Sequence, residues 1–356
     1  VLKQLLLEYE DADVFCLFNF FDENQRSEIL LGRKTRSTFI ERIPFSQRFY
    51  RYLVPIFFKA IEKLDLSEYD IIISSSHAVA KGVRKREGQI HFCYCHTPMR
   101  YVWNMKKTYL RQIPERFRKL ATAQFNRIKE WDYNSSKRVD YFIANSKFVS
   151  NRIKNNYQKE SIVINPPVDT EFFCPPRENA TTPEKDPYYL VVSRMVHYKR
   201  TELIVEAFGE MLGKKLIVIG AGPQLSALKE TATSNVKFLN FQTSERILEY
   251  MQFAEAAIFC AIEDFGITCL EVQACGTPVI AYDYGGYKET VKNGETGILF
   301  EQQSVISIIE GVNEFISLKE KFDSSVIREN SLDFGEDRFR AQIRELVNAR
   351  MLEHDG

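Results

Sequence analysis

Glu263 and Glu271 stand eight positions apart in the run Glu263-Asp264-Phe265-Gly266-Ile267-Thr268-Cys269-Leu270-Glu271. The apolar stretch AAIFCA (256–261) precedes them, and LEVQAC (270–275) follows the turn. This order predicts a strand, an acidic loop with a glycine, and a helix opening near Gly266. A glycine at a helix start lets backbone N–H groups approach a bound anion, and the helix dipole favours negative charge there. Glu271 then lies about one turn into the helix, on the face that looks back toward the ligand. Two carboxylates around such a start suit a phosphorylated ligand with hydroxyls to be gripped on both sides, the shape of a sugar nucleotide. The plainer reading of the pair is a helix cap.

Other residues have types and positions that can do chemistry. Arg194 and Lys199 lie five apart after the apolar run 188–193. An arginine can fork two phosphate oxygens while a lysine acts as a point charge. His96 ends the run 89–96 just before Pro98, and His77 follows the serines of the run 69–76. A lone histidine is as readily structural. Gly220-Ala221-Gly222-Pro223 lacks the third glycine and the later acidic residue of a dinucleotide site, so no nicotinamide cofactor is expected. Asp11-Ala12-Asp13 has the form of a metal-binding pair, but it precedes a strand far from the other motifs. It reads as a solvated turn, and no essential metal is expected.

The elements that must position these residues alternate. Strands are expected at 13–18, 69–76, 89–96 and 140–146, with helices at 1–9, 45–64, 114–136 and after 146. Pro166, Pro167, Pro175, Pro176, Pro183 and Pro187 then interrupt regular structure. A second alternation runs from 188 to 300 before the closing helices. A chain of 356 residues is too long for one ordinary core. The reading is α/β, with two doubly wound parallel sheets whose ligands bind beyond the carboxyl ends of the strands.

The block from Glu263 to Glu271, followed by AlaCysGlyThrProValIleAla (274–281) and GlyGlyTyrLysGluThrVal (285–291), resembles the retaining GT-B glycosyltransferases of family 4. Residues 191–200, with Arg194 and Lys199, resemble that family's diphosphate site. The block Cys95-His96-Thr97-Pro98-Met99-Arg100-Tyr101-Val102-Trp103 resembles the branch that builds bacterial surface polysaccharides with mannose from GDP-mannose. The resemblance implies a GT-B fold, two Rossmann-like domains facing a cleft. Residues 1–165 form the acceptor-side domain, 166–187 the linker, 188–333 the nucleotide-sugar domain, and 334–356 a helix returning to the first domain. It implies that Arg194 and Lys199 hold the donor diphosphate, that Glu271 accepts the ribose hydroxyls, and that Glu263 binds a hydroxyl of the donor sugar. Phe265, Gly266, Ile267 and Thr268 offer backbone N–H groups, and His96 faces the sugar. It also implies front-face transfer with retention, without cofactor or metal. Relatives begin with a strand and a glycine-rich turn before the helix that opens here at Val1, so the first sheet is expected to lack a central strand.

Net charge is zero but divided. Residues 1–165 hold 29 Lys and Arg against 18 Asp and Glu, and the remainder 19 against 30, giving +11 and −11. One lobe meeting an anionic partner, or attraction between the lobes, both account for this. Within 33–63, Arg33, Lys34, Arg36, Arg42, Arg48, Arg51, Lys59 and Lys63 interleave with Phe39, Phe45, Phe49, Tyr50, Tyr52, Phe57 and Phe58. That pattern suits an anionic bilayer surface bearing a lipid-linked acceptor; it also suits a helix packed on its own sheet. No nucleic-acid module is recognisable. Seven cysteines without metal spacing, no visible signal peptide and no apolar run near 18 residues lead to the expectation of a cytoplasmic protein, peripheral at most. A UDP-sugar donor with a soluble acceptor, and an inactive sugar-nucleotide-binding module, stay open as alternatives.

Overall fold

The computed structural model describes residues 1–49, 53–111 and 113–355. The chain forms two compact units, Val1–Asn165 with Phe339–Gly356, and Pro166–Arg338.

The first unit carries β1 (Val14–Cys16), β2 (Thr35–Ser37), β3 (Ile71–Ser76), β4 (Ile90–Cys95), β5 (Tyr141–Ala144) and β6 (Ser161–Val163). They form two parallel sheets, β1-β2 and β3-β4-β5-β6. Parallel strands covered on both faces read as continuous apolar runs, and β4 is buried at all six positions. After β5, the Ser146 hydroxyl accepts from the Val149 N–H at 3.0 Å and starts the helix Lys147–Tyr157. The long helix Glu115–Ser136 matches the expected one. Within the stretch 45–64 expected to be helical, the described residues form two helices, Ser46–Phe49 and Val54–Ile61. Pro55 suits the start of the second: lacking an N–H, it fits a first turn and not a helix interior.

The closing helix, Glu336–Asp355, belongs to the first unit from Phe339 onward. Its Phe339, Ile343 and Val347 are buried with Leu5, Ile90, Phe92 and Tyr94, each such burial stabilising by roughly 1.5–3 kcal/mol. Phe334 does not join them. Its ring packs on Phe265 at 5.6 Å and its carbonyl accepts from the Val168 N–H at 2.9 Å, both in the second unit. The chain therefore changes unit between Phe334 and Phe339.

The second unit holds β7 (Tyr188–Val192), β8 (Lys215–Ile219), β9 (Val236–Asn240), β10 (Ala257–Phe259), β11 (Val279–Tyr282) and β12 (Gly297–Phe300), all parallel, in the order β12-β11-β10-β7-β8-β9. Alternate residues feed two cores: Tyr189, Val191, Leu216 and Val218 on one face, Tyr188, Leu190, Ile217 and Ile219 on the other. The proline-rich 166–187 contains no helix or strand, yet it is tied down. Glu184 accepts from Lys215 (2.8 Å), Lys237 (2.7 Å) and the Tyr250 hydroxyl (3.1 Å). Burial alone would raise its pKa, but these donors outweigh it and bring the carboxyl down to about 2.

Candidate active site

β7 and β10 are neighbours, with Leu190 opposite Ala257. From β7 the order runs outward through β8 to β9 on one side, and from β10 through β11 to β12 on the other. In open α/β sheets, ligands bind outside the carboxyl ends of the strands at such a reversal. The chain leaves those ends in two adjacent loops. The first, after β7, carries Arg194 and Lys199; the second, after β10, carries Glu263 to Gly266.

Lys199 joins the loops, its amine donating to the Glu263 carboxylate while both side chains stay partly open to solvent. Arg194 is exposed and its side chain makes no hydrogen bond or ion pair among the described residues. The backbone around it is fixed by the 220–223 turn: the Met195 N–H donates to the Ala221 carbonyl (3.0 Å) and the Met195 carbonyl accepts from Gln224 (3.1 Å). That glycine-containing turn thus braces the cationic loop.

Glu263 is held through its main chain. It bridges to Gly285, and its carbonyl accepts from the Gly286 N–H at 2.9 Å. Gly286 must be glycine here, since a Cβ would stand 2.2 Å from the Phe265 Cα. Gly266, at φ +94°, caps the helix Ile267–Ala274 with no side-chain acceptor, and a Cβ there would lie 2.8 Å from the Tyr287 ring. The first-turn N–H groups are therefore left without a side-chain cap in the same loop cluster as the Lys199–Glu263 pair. Phe265 is buried with Val168 and Leu270, so only its backbone is available to a ligand. Ile267 is exposed and Thr268 half-buried.

Glu271 is half-buried on the same helix. Burial pushes its carboxyl up to about 7; a hydrogen bond with Thr268 works against this, and the Asp169 charge adds to it. A carboxylate so poorly solvated favours hydroxyl donors.

His96 lies in the first unit, at the end of β4. Its Nε2 is 2.9 Å from the Ser75 hydroxyl and its ring meets Tyr94 edge-on at 5.2 Å. Burial, with a lesser contribution from His77, lowers its pKa to about 4, so it is a neutral imidazole at physiological pH. Met99 and Val102 are core, and the Trp103 indole donates to the buried Asp132 (2.7 Å), which also takes Lys81 and the Tyr157 hydroxyl. Asp13 is engaged by the Tyr69 hydroxyl and by Arg36 at 3.2 Å.

The doubled glycine of the turn Gly285-Gly286-Tyr287 is the sequence signal for this close approach to Glu263 and Phe265. Asn240, at φ +57°, accepts from the Gly220 N–H at 2.7 Å and presents the Phe241 ring, 78% exposed, just beyond β9.

Two Rossmann-like units, the second with Lys199 joined to Glu263 at the reversal of strand order, are those of the GT-B class. The chain belongs to the family 4, group 1 glycosyltransferases: the family described as Glycosyltransferase Family 4 matches residues 8–172, and Glycosyl transferases group 1 matches 176–330. It is similar to a D-inositol 3-phosphate glycosyltransferase of Mycobacteroides abscessus, 26% identical over 51% of this chain and 45% of the relative. It is likewise similar to a GDP-mannose-dependent alpha-(1-6)-phosphatidylinositol monomannoside mannosyltransferase of Mycolicibacterium smegmatis, 29% identical over 43% and 46%. The matched region thus spans under half the length of these relatives. Among solved structures, sucrose-phosphate synthase of Thermosynechococcus elongatus shares the fold with a TM-score of 0.70, at 18% identity over 90% of this chain and 84% of that one.

Proposed function

We propose that this chain is a retaining hexosyltransferase that moves mannose from GDP-mannose to a lipid-linked glycan. The observation that carries the reading is the meeting of Lys199 with Glu263 at the reversal of strand order, beside the uncapped start of the Ile267 helix. In this reading, Arg194 and Lys199 hold the donor diphosphate, and backbone N–H groups of Phe265 to Thr268 face phosphate and sugar. Glu271 accepts the ribose hydroxyls, and Phe241 offers its ring to the base. Lys199 turns from Glu263 to phosphate when donor binds, which frees the Glu263 carboxylate for a sugar hydroxyl. The acceptor oxygen bonds to the anomeric carbon on the face from which the diphosphate oxygen departs, and the departing oxygen takes the acceptor's proton. Arg194, Lys199 and the helix start stabilise the charge that develops there. No cofactor and no metal are needed, because these groups supply the positive charge. The mannose donor follows the printed name of the M. smegmatis relative.

The test is melting-temperature screening with GDP-, UDP- and ADP-sugars, followed by transfer assays in excess EDTA. GDP-mannose is expected to stabilise most, and transfer to survive EDTA. Preference for a UDP-sugar overturns the donor assignment, and binding without transfer or donor hydrolysis makes the chain a binding module. Complete loss in EDTA that metal restores overturns the metal-free mechanism.

We further propose that the first unit touches the cytoplasmic face of an anionic membrane. Phe45 is 78% and Phe39 42% exposed; Arg42 and Arg48 are exposed beside them, and the Lys63 amine lies 5.7 Å from the Phe39 ring. Other members of the basic–aromatic segment are structural: Phe57 is buried, Phe58 packs on Trp131, and Arg33 donates to the carbonyls of Leu6, Tyr9 and Ala12. Tyr50, Arg51 and Tyr52 lie outside the described residues. No helix among the described residues is long and apolar enough to cross a membrane. In flotation, the protein is expected to rise with anionic vesicles, less so as salt increases. Equal recovery with neutral and anionic vesicles overturns the claim.

A further inference from the structure

Arg200 separates the 3₁₀ turn His197–Lys199 from the helix Thr201–Glu210, at φ +58° and ψ +29°. A side chain crowds the left-handed conformation, so a residue other than glycine keeps it only where its surroundings hold it there. Both main-chain groups of Arg200 are engaged. Its N–H donates to the His197 carbonyl at 3.3 Å, and its carbonyl accepts from the Leu203 N–H at 3.2 Å. The helix that follows has no side-chain cap. The direction in which Lys199 leaves the backbone is thus set at Arg200 and not by a capping residue.

The Arg200 side chain is anchored as well. A guanidinium nitrogen lies 3.3 Å from the Glu202 carboxylate. Both Glu202 oxygens and the Arg200 Nε are shielded from solvent, and none of the three makes a hydrogen bond among the described residues. A carboxylate turned away from water needs a counter-charge, and the guanidinium is the one beside it.

The pair also lies close to the second loop of the site. Burial pushes the thiol of Cys260, the residue after β10, up to about 12; the Arg200 charge opposes this and the Glu202 charge adds to it. Residues 199–202 therefore act on the loop after β10 at two points, Lys199 at Glu263 and the Arg200–Glu202 pair at Cys260. Only the second of these persists through the proposed reaction. Lys199 must leave Glu263 to reach the diphosphate, whereas neither Arg200 nor Glu202 has to move. Once the Glu263 contact is given up, Arg200 is what remains to fix the turn.

We propose that Arg200 is a positioning residue: clasped by Glu202 in a left-handed backbone, it keeps the Lys199 amine directed at the donor diphosphate after Lys199 releases Glu263. The inference rests on the assignment of Lys199 to the diphosphate. A cation stabilises a departing oxygen best when it is held in place beforehand, and a small misplacement of such a group lowers the rate steeply.

The test is a double-mutant cycle on the full chain, read as GDP release from GDP-mannose at saturating donor. Arg200→Gly accepts the left-handed backbone but loses the anchor; it is expected to lower turnover about tenfold, with the donor KM little changed. Arg200→Lys can still pair with Glu202 and is expected to recover most of that loss. Glu202→Gln removes the counter-charge while keeping the shape, and is expected to lower turnover several-fold even where glycine at 200 loosens the fold. In a Lys199→Ala background, Arg200→Gly is expected to cost no more than about a further twofold, because Arg200 acts through Lys199. Parental turnover in both Arg200→Gly and Glu202→Gln overturns the proposal, and so does an undiminished loss from Arg200→Gly when Lys199 is already absent, which marks a role in the fold alone. If Lys199→Ala loses turnover while the Arg200 and Glu202 variants do not, only this inference fails. If Lys199→Ala keeps the parental turnover, the diphosphate assignment fails and takes this inference with it.

Discussion

Lys199→Ala and Arg194→Ala are each expected to lower kcat on the order of 100-fold or more, with a much smaller change in the donor KM. The reason is where charge grows. A sugar diphosphate is already anionic when bound, but the oxygen that leaves the anomeric carbon gains charge only as that bond breaks, and a preorganised cation is worth most there. Arg194 is exposed and its side chain has no partner among the described residues, so its substitution disturbs no fold contact. Lys199 differs: its loss leaves the Glu263 carboxylate, 15% exposed, without its cation. Removing the partner of a charged hydrogen bond costs about 1–3 kcal/mol, so the melting temperature of Lys199→Ala is expected to fall while that of Arg194→Ala stays near the parent's. Lys199→Arg keeps the charge without the compact ammonium and is expected to fall between. Steady-state kinetics with calorimetry on the three variants decides the matter. Unchanged kcat in both alanine variants removes the diphosphate assignment.

At pH 8, Glu271→Gln is expected to stabilise the ligand-free protein and to weaken GDP binding at once. The Glu271 carboxyl is raised from 4.5 to about 7, chiefly by burial. The folded state therefore keeps its proton to higher pH than the unfolded state. Its stability is intact below pH 4.5 and is lost progressively as pH rises to about 7. The full shift corresponds to at most about 3 kcal/mol, a penalty that the neutral amide escapes. The same amide presents one acceptor oxygen where the carboxylate presents two, and its NH2 cannot accept, so in the proposed role it no longer offers a separate oxygen to each ribose hydroxyl. Calorimetry at pH 5 and 8, with titration of GDP, reads both effects. A melting difference that is the same at both pH values, or undiminished GDP affinity, is inconsistent with this role.

Much of the candidate site was legible because its determinants are local. The apolar run 256–261, the acidic loop and Gly266 predict a strand, a turn and a helix start, and β10, Gly266 at φ +94° and the helix Ile267–Ala274 stand there. A cap and a positive φ are decided by a few neighbouring residues. The same holds for Arg194 and Lys199 after β7, for His96 at the end of β4, and for the irregular proline segment. The start of the helix Val54–Ile61 is also written locally, in Pro55.

What the tertiary structure alone decided involves segments far apart in the chain. Lys199 meets Glu263 across 64 residues because β10 lies beside β7 and not beside β9, which strand-to-strand hydrogen bonding and two-sided burial determine. The raised carboxyl of Glu271 arises from burial on a helix that no single window describes, with Asp169 adding its charge from the proline-rich segment. Phe334 and Phe339 share one apolar pattern, yet pack in different units, since periodicity marks a buried face without naming what buries it. Glu263 and Glu271 were visible as chemistry from their type and spacing. That Lys199 stands beside Glu263, and that Glu271 is held back from ionising, follow from long-range packing, which brings charges and apolar surface together regardless of sequence distance.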